Sequence, residues 1–177
     1  MGTGALMLAA CEDPNELVPV KSYETVAACV ADGFADNQCA TALRAAQETY
    51  EAAYPKYADQ FDCEDNAGED KCEADNPNSR NPSWRPSMVG FMIGALAGSR
   101  VQPQPVVSNL SSPTGRATAT GVPIAGHGTS ASVPARAAAA PTAAAVAAAH
   151  TQTRGGFGST ASRVAGSGGG HSASLGG

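Results

Sequence analysis

The sequence predicts a small all-α, disulfide-stapled helical hairpin, then a short apolar helix with a glycine ridge, then a disordered low-complexity tail. Three observations predict it. Apolar residues between positions 39 and 57 recur at helical spacing, four cysteines fall into two similarly spaced pairs, and the chain beyond position 101 is mostly Pro, Ser, Thr, Ala and Gly with scattered Arg.

Ser22 is a suitable N-cap, Glu24 suits the positive end of a helix and Gly33 can close one, which places a first helix over 23–31. Asn37 caps a longer second helix. Cys39, Leu43, Ala46, Tyr50, Ala53 and Tyr57 step by threes and fours along one stripe of it. Pro55 ends that helix near Ala53 or Tyr54, because proline cannot supply the next hydrogen bond. A third, brief helix covers about Gln60 to Asp65 and stops before Gly68. Bulky core residues are few (Val26, Val30, Phe34, Leu43, Tyr50, Tyr54 and Phe61), and a core that small needs a staple.

Cys29, Cys39, Cys63 and Cys72 supply the staples. The stretch Ser22 to Cys29 aligns with Lys56 to Cys63, with tyrosine six residues before cysteine in both, and each first cysteine meets a second after nine or eight intervening residues. Four cysteines allow three connectivities. The half-repeat favours Cys29–Cys39 with Cys63–Cys72, each worth about 2–3 kcal/mol. Pairing across the hairpin ranks second. A zinc site ranks third, since its ligand pairs normally sit two to four residues apart. No metal and no cofactor is expected. The acidic run Asp62 to Glu73 has oxygen donors in a calcium-loop order, but Ala67 stands where the sharp turn wants glycine.

Glycines 90, 94 and 98 recur every four residues within Met88 to Gly98, which on a helix makes a smooth ridge beside Met88 and Phe91. Eleven helical residues rise about 16 Å, half of what a membrane span needs. The segment therefore packs on the cysteine domain, seats at a lipid interface or self-associates through Met88, Gly90, Phe91, Gly94 and Gly98. Association or the interface is the favoured reading.

From Val101 onward too little apolar surface is available to offset ordering entropy, so a disordered tail is expected. Arg154-Gly155-Gly156-Phe157-Gly158 resembles one RGG box and reads either as a short recognition motif for an envelope partner or as part of a solvated tail. One such copy, with six arginines over nearly a hundred residues, argues against a nucleic-acid partner. Charge is divided along the chain. Sixteen acidic against five basic residues give −11 through position 80, and six arginines with no acid give +6 beyond it. His127, His150 and His171 all fall in the predicted tail, away from any scaffold that would preorganise acid–base chemistry.

Leu8-Ala9-Ala10-Cys11 has the form of a lipobox: an apolar residue, two small residues and a cysteine. Cys11 is the expected lipidation site. Residues 1–10 read as the end of a lipoprotein signal whose start lies upstream, and several acyl chains together would anchor the protein stably. Domain boundaries follow: 11–21 a linker from the lipid anchor, 22–76 the acidic cysteine domain, 77–100 the Trp/Met/Gly-rich apolar segment, 101–177 the cationic tail.

The lipobox, the paired cysteines with Tyr54-Pro55-Lys56-Tyr57-Ala58 between them, the run Trp84 to Gly98, and Thr151 to Gly158 occur in this order. In that combination the chain resembles the YgiB family of bacterial lipoproteins, whose domain has no assigned function. The likeness covers nearly the whole chain, apart from the Ala-rich stretch 135–149. It implies an envelope lipoprotein and supplies no catalytic residues.

The expected function is therefore a non-enzymatic interaction or structural module. It would be lipid-anchored in the cell membrane or outer membrane, facing the periplasm, and would self-associate or bind an envelope protein. The alternative is an acidic periplasmic module that binds divalent cations or polyamines.

Overall fold

The computed structural model describes residues 13–95, 99 and 101–153. In chain order these form strand β1 (Leu17–Tyr23), helices α1 (Val26–Ala31), α2 (Asp36–Ala52) and α3 (Gln60–Ala67), and strands β2 (Cys72–Ala74), β3 (Trp84–Pro86) and β4 (Met88–Gly94). Strands β5 (Gln104–Ser108), β6 (Arg116–Thr118), β7 (Ala125–His127) and β8 (Ser130–Pro134), a 3-10 turn at Ala135–Ala137 and helix α4 (Ala143–Thr153) follow. Six strands make one antiparallel sheet in the order β6-β5-β4-β1-β8-β7, while β2 pairs only with β3. The fold is thus not a small all-α hairpin. It is a mostly-β fold carrying a layer of helices.

Gly90 and Gly94 of the expected ridge lie on strand β4, not on a helix. A spacing of four residues fits a helix turn, but it is also an even number, so on a strand it keeps the glycines on one face. β4 is apolar along its whole length because both faces are covered, and such a run cannot be told from a buried helix by periodicity. Met92 joins Val20, Val106, Ile124 and Val133 in one core, while Phe91 and Ile93 join Tyr23, Cys29, Cys39, Ala42 and Ala46 in the other. Gly90 is required by close approach: a Cβ there would sit 2.4 Å from the Tyr23 carbonyl oxygen. The pairing with β5 shifts register at this point, between Met88 and Gly90.

β1 lies centrally, between β4 and β8, on residues that carry Pro19. A proline argues against a central strand. Here Val20 opposite Gly94 ends the β4 ladder, and Pro19 only accepts, its carbonyl taking the Ala95 N–H at 3.3 Å. A residue's N–H and C=O face the same neighbour in an antiparallel pair, so the single bond that proline forgoes is the return bond to Ala95, just past the last β4 pair.

Residues 101–153 fold as strands β5 to β8 of the sheet, the 3-10 turn and α4, against the expectation of a disordered tail from 101; 154–177 lie outside the described residues. Their strands are short and built from small residues, and none could stand alone. Each completes a sheet whose centre is already apolar, adding Val106, Ile124 and Val133 to the core. Buried Gln104 is satisfied by donating to the Ala137 carbonyl at 2.7 Å. The alanine-rich α4 docks Val146 against Ala53 and Ala119. Between β6 and β7 the chain doubles back, Thr118 N donating to Val122 O at 3.0 Å and Ile124 N to Arg116 O at 3.1 Å. This draws the two edge strands together and curls the sheet into a half-barrel.

Candidate functional site

The half-repeat around the cysteines has a local physical basis. Buried Tyr23 ends β1, Thr25 caps α1 by accepting from Ala28 N at 3.1 Å, and Cys29 lies on the helix four residues past the cap. Buried Tyr57 makes an isolated bridge to Trp84, Asp59 caps α3 by accepting from Asp62 N at 2.8 Å, and Cys63 again follows four residues later. Tyrosine, cap and cysteine thus recur at the same spacing, in an extended-to-helix turn used twice. The bonds are Cys29–Cys39 and Cys63–Cys72, with Cα separations of 6.0 and 6.2 Å, within the span a disulfide bridges without strain. Cys29, Cys39 and Cys63 are wholly buried.

A charged and aromatic cluster joins the two cysteine halves. The Arg85 guanidinium on β3 stacks 4.8 Å from the ring centres of both Tyr50 and Tyr54, at the end of α2 and just past it. It pairs with Glu73 at 2.9 Å and Glu51 at 3.0 Å, with Asp75 at 3.9 Å. The Tyr50 hydroxyl donates to the Pro86 carbonyl at 2.6 Å and lies 3.0 Å from Glu73. Burial pushes the Tyr50 phenol well above its ordinary range, and the Glu73 charge adds to the effect. Asp75 accepts from Tyr54, from Lys56 at 3.0 Å and from Ser83 at 3.1 Å. The Tyr54 hydroxyl first, then Lys56 and Ser83, hold its carboxyl below the usual carboxylate range.

A smaller cluster sits at α1. Asp32 is bonded to Lys21 at 2.9 Å and to the Tyr23 hydroxyl at 2.7 Å, and Lys21 followed by Tyr23 holds that carboxyl low. Both clusters act as clamps, because their charged groups are matched by opposite charges and their hydroxyls already donate.

The expected site residues are distributed as follows. The four-cysteine framework is paired as the half-repeat favoured. Met88, Gly90, Phe91 and Gly94 lie on β4 inside the sheet, where they present no outward ridge. Cys11, Gly98 and Arg154-Gly155-Gly156-Phe157-Gly158 lie outside the described residues. Residues 60–67 are helical, so the donors of the acidic run do not wrap a common centre. Among the described residues no three or more His, Cys, Asp or Glu are grouped to hold a metal ion, and no helix is long and apolar enough to cross a membrane. Sequence reasoning missed Arg116 and His127, which the curled sheet brings to one cleft together with Ser22. No local signal marked them, because their neighbours are the small residues of the low-complexity stretch.

The model of the family described as "Protein of unknown function (DUF1190)" matches residues 18–168. A UPF0441 protein of Erwinia tasmaniensis is 34% identical over 178 residues, covering 91% of this chain and 78% of its own. UPF0441 proteins of Sodalis glossinidius and Klebsiella pneumoniae are 32% and 31% identical, covering 92% and 91% of this chain and 80% and 78% of theirs. No solved structure matches. The chain belongs to this DUF1190/UPF0441 family of uncharacterised bacterial proteins.

Proposed function

We propose that the protein is a non-enzymatic interaction or structural module of the bacterial cell envelope, tethered by lipid at Cys11 and facing the periplasm. The observation that carries this reading is the pair of disulfides, Cys29–Cys39 fully buried and Cys63–Cys72 buried on the Cys63 side. Such bonds persist in oxidising compartments and are reduced in the cytosol. The lipobox residues Leu8 to Cys11 supply the attachment point, and both polar clusters are self-satisfied clamps that suit a scaffold. Mass spectrometry of the native N-terminus tests it: acylated Cys11 is expected, and an unmodified Cys11 in protein recovered from the cytosol would overturn the proposal.

A second reading is favoured by the surface around α3, where Asp59, Asp62, Asp65, Glu69 and Asp70 are all exposed. In that reading the module collects divalent cations or polyamines by charge. Calorimetric titration of the oxidised full chain with calcium and with spermidine separates the two, since silence at millimolar ligand removes the second.

A further inference from the structure

We propose that the cleft at the end of the curled sheet binds an oxyanion, a carboxylate or a phosphate, on Arg116 and Ser22. The cleft has a volume of about 760 Å³, within the range of small-ligand sites. The end of β1, the start of β6 and the β7–β8 turn line it.

Arg116 is half-buried there and meets only neutral partners. Its Nη1 donates to Ser22 Oγ and to the Gly128 carbonyl, each at 3.3 Å, and its Nη2 donates to the Gly126 carbonyl at 3.5 Å. Gly126 and Gly128 both have positive φ. Arg85 meets three carboxylates, Lys21 meets Asp32, Lys56 meets Asp75 and Arg44 meets Glu48, whereas Arg116, like the more peripheral Arg136 on Asn15, is held by neutral oxygens. N–H···O bonds normally fall at about 2.7–3.2 Å, so the contacts at Arg116 are long. Three of the five guanidinium N–H donors are engaged, which leaves two for a ligand.

Ser22 faces the same ligand position. It is 5% exposed and lines the cleft, and its oxygen accepts from Arg116. The bond it accepts from Arg116 leaves its own proton to donate to a ligand. One oxygen of a bound anion beside Arg116 would accept from both groups. His127 is exposed on the rim and offers a further ring N–H, while Glu24 is the carboxylate among the lining residues and favours a ligand with a single anionic end. The inference does not depend on lipidation or export.

The test uses the oxidised full chain labelled with ¹⁵N at low ionic strength. It is titrated separately with acetate and with inorganic phosphate, and with chloride at matched ionic strength as the control. Saturable shifts of the Ser22, Gly126, Gly128 and Thr129 amides are expected in at least one arm, and the arm that saturates at lower concentration names the anion. Arg116→Gln and Ser22→Ala should each weaken binding about tenfold, as expected for loss of a charge-assisted or buried donor. Ser22→Ala keeps the backbone pairing of β1, so it carries the test if Arg116→Gln loosens the sheet edge. Shifts no larger than those in chloride, or wild-type affinity in Ser22→Ala, would overturn the proposal.

Discussion

The Arg85 guanidinium lies 4.8 Å from the Tyr50 ring centre while bonding Glu73 at 2.9 Å, so one side chain ties α2 to the β2–β3 hairpin. Its side chain is only 15% exposed, which keeps these interactions largely out of water. Arg85→Met should therefore destabilise the protein by about 1–3 kcal/mol, because it removes the stack on Tyr50 and Tyr54 and the cation of Glu73 and Glu51, while Asp75 keeps Lys56. Arg85→Lys keeps the charge but loses the planar stack, and should fall between the two. Urea denaturation of the three proteins checks the order.

Gly90 gives a test in which the sign discriminates. In an exposed helix, replacing glycine with alanine would stabilise by about 1 kcal/mol. In the observed strand the new methyl would meet the Tyr23 carbonyl oxygen at 2.4 Å, a backbone atom that cannot rotate aside. Gly90→Ala should thus destabilise by about 1–3 kcal/mol. Thermal melting with far-ultraviolet dichroism reads the direction.

Removing the second staple should be costly and coupled to the Arg85 cluster. A Cys63→Ala, Cys72→Ala double variant should lose about 2–3 kcal/mol. β2 begins at Cys72, and Glu73 and Asp75 follow directly. Combining this variant with Arg85→Met should accordingly cost less than the sum of the two, since both losses free the same hairpin.

Acid should weaken the fold through Asp75 and Asp32, both held below the usual carboxylate range. A carboxylate lowered on folding contributes stability above its unfolded value of about 3.9 and loses it as pH falls through the lower folded value. Stability should therefore decline as pH drops below about 4, and Asp75→Asn should flatten that decline in pH-resolved urea titrations. Tyr23 and Tyr50, raised chiefly by burial, act at the other end. Their contribution is present below about pH 10 and lost as pH rises beyond it.

The helical layer was legible in outline because its signals are local, although Ser22 and Tyr23 belong to β1 and Thr25, not Ser22, caps α1, and α2 begins behind Ala35, not Asn37. Asp36–Ala52 lies where the stripe through Cys39, Ala46 and Tyr50 placed a helix, and Pro55 follows its end. The cysteine pairing was legible for the same reason, since cap and cysteine repeat at one spacing. The sheet was not legible. Pro19 hides a central strand by sitting where its ladder ends, and β4 hides because an even glycine spacing fits both periods. β5 to β8 draw their stability from neighbours distant in sequence, such as Leu17–Tyr23 beside Ser130–Pro134, so no window of the low-complexity stretch contains its own reason to fold. The cleft at Arg116 was invisible with them, because Ser22 and Arg116 meet only once the sheet curls.

Trapping free thiols inside intact cells, then mapping the protein by peptide mass, tests the central claim most directly. Disulfide-linked peptides joining Cys29 to Cys39 and Cys63 to Cys72, with no alkylation at those four positions, are the predicted result. Four alkylated cysteines in the folded native protein would contradict it.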